Sequence, residues 1–155
     1  MKLSIQIDKQ FRSQVNRRWL RTVVSKTLAT AEASSGIQLD LLITDDETIH
    51  TLNREYRNVD RPTDVLAFAL DKDSRESEPF VLPPDLPTHL GDVVVSYPTA
   101  ARQAEEHHHT VDQEITILVV HGVLHLLGYD HSELAEENEM RTLEYTILRE
   151  IEGKR

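Results

Sequence analysis

The 155-residue chain has no cysteine, and this absence excludes two classes of protein. Without thiols there is no disulfide framework, so small disulfide-stabilised secreted domains are excluded. Zinc fingers and zinc ribbons, which bind zinc through thiolates, are excluded as well. We therefore expect a protein of a reducing cytoplasm, in which any metal site uses nitrogen or oxygen ligands.

Long apolar runs are also absent. No stretch approaches the ~18 apolar residues of a membrane-spanning helix, and residues 1–8 are too short and too alternating for a signal peptide. We expect a soluble protein without a membrane partner. At 39% hydrophobic residues, the chain has the size and composition of one domain with its own core, spanning residues 1–155.

Lysine and arginine are outnumbered by aspartate and glutamate, 17 to 27, and the two signs of charge are unevenly distributed along the chain. The net charge of −10 argues against nucleic-acid binding, because contacts between phosphates and cationic side chains supply most non-specific affinity. Residues 1–70, however, carry a net charge of +1 and residues 71–155 a net charge of −11. A basic strip is therefore possible around the first helix, although a solvated helix face is an equal alternative. Its members are Arg12, Arg17, Arg18, Arg21 and Lys26.

The segment 113–131 carries most of the chemistry. Residues 113–120 are almost entirely apolar after Thr116, which predicts a buried helix that continues into His121. His125 follows four residues later, so the two rings lie about 40° apart around the helix and about 6 Å along it. Gly128 can then end the helix in a left-handed conformation, and the following turn can return His131 to the same face.

Three imidazoles at this spacing predict a metal site. Three nitrogen ligands leave the fourth tetrahedral position of Zn²⁺ open to water, as in catalytic zinc sites. One Zn²⁺ per chain is the first choice, although nickel, cobalt and copper also accept imidazole. Core histidines with hydrogen-bond partners are the alternative, but three at this spacing around a glycine turn favour the metal.

The histidine spacing is that of the His-Glu-x-x-His zinc peptidases, in which the glutamate is the general base. In this chain Gly122 stands at the position of that glutamate. Glycine cannot accept a proton from a zinc-bound water, so the peptidase mechanism lacks its base. The sequence therefore predicts the metal but not the protease.

Residues 121–131, which read His-Gly-Val-Leu-His-Leu-Leu-Gly-Tyr-Asp-His, resemble the signature of the YbeY family of bacterial and organellar endoribonucleases. Residues 56–68 and 91–96 resemble two further motifs of that family, so the resemblance extends over essentially the whole chain. Where the family usually has Ser then Phe-Pro, this chain has Ala67, Phe68 and Ala69.

The resemblance implies cleavage of single-stranded RNA in 16S ribosomal RNA 3′-end maturation and ribosome quality control. Ribosomal RNA, the small ribosomal subunit and assembly factors would be the partners, and no DNA is expected. The resemblance also implies that Arg57 is a functional residue near the metal cleft. On base rates an arginine there is a surface or ion-paired residue, but a guanidinium suits bidentate binding of a phosphate. Asp64 and Asp92 lie in motif stretches, and we expect structural roles for both.

Two other functions remain open. One is metal-dependent hydrolysis of a different substrate, such as a peptide or a small phosphoester. The other is a non-catalytic ribosome-assembly factor whose metal is structural, since a buried ion also stabilises a fold. An open fourth ligand position would favour catalysis, and a fourth protein ligand would favour the assembly factor.

Hydrophobic periodicity predicts an α/β fold with a small mixed sheet of about four strands, about five helices and the metal site on a buried helix. Residues 65–70 are nearly all apolar, which predicts a central strand. Residues 71–90 carry four prolines and predict a long surface loop. We expect Ile49, Leu52 and Tyr56 on the buried side of the second helix. We expect His107, His108 and His109 to be solvated, because adjacent residues point in different directions.

Overall fold

The computed structural model describes residues 1–33, 36–69, 88–129 and 134–152. Within these ranges it has four strands and five α-helices, which confirms the predicted α/β class. The strands are β1 (Lys2–Ile7), β2 (Ile37–Thr44), β3 (Val65–Ala69) and β4 (Thr88–Ser96). The helices are α1 (Arg17–Thr30), α2 (Asp46–Arg57), α3 (Tyr97–Glu106), α4 (Val111–Leu126) and α5 (Leu134–Glu152).

The strands form one mixed sheet in the order β1-β2-β4-β3. The pairs β1–β2 and β2–β4 are parallel, and β3 runs antiparallel to β4. The prediction that β3 is central is therefore wrong, because β3 lies at the edge. Its apolar residues are explained by packing on both faces: Leu66 joins Ile49 and Val94 on one face, while Val65 and Ala67 pack against the main core on the other.

One face of the sheet carries the main core. Leu3, Ile5 and Ile7, which alternate with exposed polar residues along β1, are buried there together with apolar residues of α1, α4 and α5. Helix α4 is the most deeply buried: Val119, Val120, Val123 and Leu124 expose none of their surface. Any polar side chain near the end of this helix is therefore placed by close packing and not by a flexible loop.

Helix α2 packs on the opposite face and leaves part of that face open. Ile49 is fully buried and Leu52 is partly buried, as predicted, but Tyr56 is 69% exposed. The Tyr56 prediction is wrong because the last turn of α2 reaches the rim of a groove of about 1010 Å³, which Tyr56 lines together with Phe68. Polar residues of the strands line the groove floor, among them Ser4, Gln6, Asp40 and Asp92.

The predicted 71–90 loop is only partly described by the structure. Strand β4 begins at Thr88, so the last residues of the predicted 71–90 loop belong to a strand. Residues 70–87 lie outside the described residues, as does the turn that contains His131. Across the described ranges, no helix has both the length and the apolarity needed to cross a membrane.

Candidate metal centre

Helix α4 has defined ends, and its C-terminal end carries the candidate site. Thr110 and Gln113 form a reciprocal capping box at its start. At its end Gly128 adopts a φ of +102°, and its N–H donates to the carbonyl of His125 at 3.0 Å. The predicted glycine turn after the helix is therefore confirmed, because this conformation suits glycine and terminates the helix.

The structure brings the rings of His121 and His125 together. Their Nε2 atoms are 3.1 Å apart, and the ring planes make an angle of 70°. Two imidazoles bound to one tetrahedral Zn²⁺ at 2.0–2.1 Å would hold their nitrogens about 3.3 Å apart. The donor atoms therefore already stand close to the separation that a shared ion requires.

Glu144 of helix α5 accepts a hydrogen bond from the other nitrogen of His121. The distance from His121 Nδ1 to Glu144 Oε1 is 2.8 Å, and the Glu144 side chain is 22% exposed. A proton on Nδ1 leaves the Nε2 lone pair for a metal, and a carboxylate partner orients the ring and makes it a stronger ligand. Sequence reasoning missed Glu144, because its contact depends on how α5 packs across α4.

His131, the third predicted ligand, lies outside the described residues. Its role as a ligand therefore stays a prediction. The two described histidines and Glu144 suit a borderline metal ion, since two imidazoles with an outer carboxylate are typical of zinc sites.

Gly122 lies against the sheet and not at the metal side of the helix. A Cβ atom at this position would be 2.7 Å from Val93 Cγ1 and 3.4 Å from Val65 Cγ2. Only glycine lets α4 approach the valines of β3 and β4 this closely. A glutamate could not replace it without displacing the sheet, so the absence of the peptidase base has a structural cause.

Arg57 is the last residue of helix α2 and lies beside the edge strand β3. One of its guanidinium nitrogens donates to the carbonyl of Ala67 at 2.9 Å, and the guanidinium lies 6.0 Å from the centre of the Phe68 ring. The side chain is exposed, so its other N–H groups face the surface. Arg57 therefore both caps an edge carbonyl and presents a cation at the rim of the groove.

A family model described as "Endoribonuclease YbeY" matches residues 3–152 of the chain. Curated proteins with the same name are similar as well: that of Roseiflexus castenholzii is 43% identical over 147 residues, covering 94% of this chain and 90% of its own. The protein from Dehalococcoides mccartyi strain CBDB1 is 39% identical, covering 97% and 93%. This chain belongs to the YbeY endoribonuclease family.

A solved structure supports the fold of this YbeY-family chain. The solution structure of TM1509 from Thermotoga maritima matches with a TM-score of 0.62 and covers 98% of this chain and 90% of its own. Its sequence identity is 24%, so the likeness concerns the fold alone. The family resemblance inferred from the three motifs is confirmed.

Two aspartates of the family motifs have different surroundings. Asp64 accepts a hydrogen bond from the backbone N–H of Val65 at 2.8 Å, so it orders the start of β3, as a structural role predicts. Asp92 lies in the groove beside Asp40 and His89. Burial raises the pKa of the Asp92 carboxyl, and the charge of Asp40 and a hydrogen bond between the two carboxyls raise it further.

The histidine run at 107–109 differs from its prediction. His107 and His109 both contact the carboxylate of Glu114, whose side chain is only 4% exposed. The three residues form a group able to hold a metal ion. His107 and His108 are exposed as predicted, whereas His109 is partly buried. The rings of His107 and His109 converge, although adjacent side chains were expected to diverge. Since Glu114 precedes His121 by seven residues, the group lies about 10 Å along the helix from His121 and cannot complete its site.

The predicted basic strip is only partly available to a ligand. The Arg12 Nε donates to the carbonyl of Ile7 at 3.1 Å, and Arg17 donates to a carbonyl of the same strand. Lys26 pairs with Glu150 at 3.3 Å. These contacts give three members of the strip structural roles, although Arg12 and Arg17 are exposed to solvent, as are Arg18 and Arg21.

Proposed function

We propose that this chain is a metal-dependent endoribonuclease that cleaves single-stranded RNA. The single observation that carries the proposal is the pair of Nε2 atoms of His121 and His125, 3.1 Å apart at the end of a buried helix, in a YbeY-family chain. We propose His131 as the third ligand and one Zn²⁺ as the ion. The whole chain, residues 1–155, would act as one catalytic domain.

Each described residue has a distinct part in this proposal. His121 and His125 would hold the ion, and Glu144 would fix the tautomer and direction of His121. When bound, the ion would polarise a phosphoryl oxygen or lower the pKa of a water molecule. Arg57 would bind the phosphate as negative charge develops on it, since a guanidinium can donate hydrogen bonds to two oxygens at once.

The proposed substrate is ribosomal RNA, at the 3′ end of the 16S molecule, and the proposed setting includes ribosome quality control. The small ribosomal subunit and assembly factors are the partners we propose. A chain with a net charge of −10 is expected to bind free RNA weakly, because its excess of carboxylates repels the phosphates that its cations attract. A ribosomal partner would then supply the remaining affinity.

The test combines metal analysis with RNA cleavage. His121→Ala, His125→Ala and His131→Ala should each lose the ion and the cleavage of a single-stranded 16S 3′-end RNA, while circular dichroism shows a retained fold. Full metal content in His131→Ala would move the third ligand to another residue. Wild-type protein that holds its metal but leaves the RNA intact would support a non-catalytic assembly factor instead.

A further inference from the structure

We propose that His107, His109 and Glu114 form a second metal site, separate from the site at His121 and His125. Glu114 is 3% exposed, and it is followed on the helix by the buried residues Ile115, Leu118 and Val119. A carboxylate in such surroundings needs a cationic or hydrogen-bonding partner, because the loss of hydration is costly. Both imidazoles meet the same oxygen, Oε2, with His107 Nδ1 at 3.2 Å and His109 Nε2 closer still.

The backbone turns both rings toward Glu114. His108 adopts a left-handed conformation, with a φ of +57°, which is uncommon for a residue other than glycine. The N–H groups of His107 and His109 donate to carbonyls of the last turn of α3, at 2.8 Å and 3.0 Å. This irregular turn places the first and third histidines on one side, with ring centres 5.5 Å apart, and leaves the second exposed.

The donor set fits a borderline divalent ion. The two nitrogens and the carboxylate oxygen all lie within 4.8 Å of one another. Tetrahedral Zn²⁺ holds such ligands about 3.3 Å apart, so small ring movements would admit the ion in place of the two bridging protons. Two imidazoles and a carboxylate favour zinc or its neighbours over magnesium and calcium, which prefer oxygen ligands.

The position of the group indicates a structural ion. Its distance of about 10 Å from His121 along α4 is far beyond the 3.5–4 Å of two metals that act together. Its ligands join the end of α3, the following turn and the first turns of α4. An ion bound there would tie the two helices together and stabilise the folded state by mass action.

The experiment counts zinc per chain. We expect two ions in the wild type and one in His121→Ala/His125→Ala, and none when Glu114→Gln is added to that double variant. The control is His108→Asn in the same background, because asparagine tolerates the left-handed conformation and His108 faces away. This control should retain the single ion.

Thermal unfolding supplies a second readout that does not depend on RNA cleavage. Zinc should raise the Tm of the His121→Ala/His125→Ala variant and leave that of the triple variant unchanged. His107→Asn in the double-variant background changes a half-exposed side chain, so it should fold yet bind zinc at least tenfold more weakly. A double variant that binds no zinc, or a triple variant that keeps it, would overturn the proposal and leave the group as hydrogen-bonded ion pairs only.

Discussion

Glu144→Gln tests whether the histidine pair is a metal site oriented from a second helix. The Glu144 carboxylate accepts from His121 Nδ1 at 2.8 Å and is largely shielded from water. Loss of such an outer carboxylate typically lowers metal affinity about 10-fold to 100-fold, which corresponds to about 1.4 to 2.8 kcal/mol. Glutamine keeps an acceptor oxygen but loses the charge, so we expect Glu144→Gln to lower zinc affinity about 10-fold. Glu144→Ala removes the acceptor as well and should lower zinc affinity about 100-fold.

The assay is competition for zinc against a chromophoric chelator at fixed pH and salt. All proteins would carry Glu114→Gln, so that the second proposed site does not contribute. Glu137→Gln is the matched control, because Glu137 lies on the same helix, pairs with Arg141 at 2.6 Å and loses the same charge. If the affinities of the Glu144→Gln and Glu137→Gln proteins agree within a factor of two, Glu144 does not support a metal ligand and the reasoning is refuted.

The packing around Gly122 and the charges of Arg57 and Asp92 can each be tested by substitution. Gly122→Ala should lower the free energy of unfolding by about 1–3 kcal/mol in urea titrations, because the new methyl group would overlap Val93. Arg57→Ala and Arg57→Lys should both slow RNA cleavage in single-turnover assays while metal content stays constant, since an ammonium cannot bind two phosphate oxygens as a guanidinium does. Asp92→Asn should be more stable than the wild type at pH 7, with a difference that shrinks toward pH 4.

Proton linkage explains why Asp92→Asn should stabilise the protein at pH 7. Burial and the nearby Asp40 raise the pKa of Asp92 above its usual 3.8, so the folded state holds more protons than the unfolded state between the two pKa values. Stability therefore falls as pH rises through that window, and Asp92→Asn removes this loss. Equal urea midpoints for both proteins at pH 7 would contradict the argument.

The Gly122→Ala and Arg57→Ala variants each have a matched control. Val93→Ala combined with Gly122→Ala should destabilise the protein by less than the sum of the two single variants, because Val93→Ala removes the methyl groups that the new Cβ meets. Arg54→Ala is the control for Arg57, since both arginines are exposed in the last turn of α2. If Arg54→Ala slows cleavage as much as Arg57→Ala, general charge and not a specific phosphate contact is responsible.

Local patterns predicted the features that depend on neighbouring residues. The alternation of Leu3, Ile5 and Ile7 gave a strand with one buried face, and the four-residue spacing of His121 and His125 gave adjacent rings. In each case the geometry of one element decides the outcome, whatever packs against it.

Features that depend on contacts between distant elements were not predictable in this way. The apolar sequence of β3 indicated burial on both faces but could not show that the strand lies at the sheet edge, since helices can cover both faces there as well. Glu144 belongs to the acidic pattern of α5, and only the packing of α5 against α4 places it at His121.

Residues 107–109 do not follow helical geometry, so the directions of their side chains could not be predicted from it. Adjacent residues diverge while the backbone is regular, but the left-handed His108 brings His107 and His109 to the same carboxylate. The relevant signal was Glu114, the last charged residue before the largely apolar segment 115–120. A charge placed there requires a partner, and the preceding histidines were the nearest candidates in sequence.

The position of Gly122 limits the chemistry that this site can support. In the peptidase arrangement the residue after the first histidine reaches the metal-bound water, but here that residue packs against Val93 and has no room for a side chain. Helix α4 therefore offers His121 and His125 as candidate ligands but has no general base at position 122. Hydrolysis of a phosphodiester tolerates this absence better than hydrolysis of a peptide, because stabilising the developing phosphoryl charge is the larger demand. A cation near the ion would answer that demand, and we propose Arg57, whose guanidinium reaches the edge of β3 at Ala67, for this part.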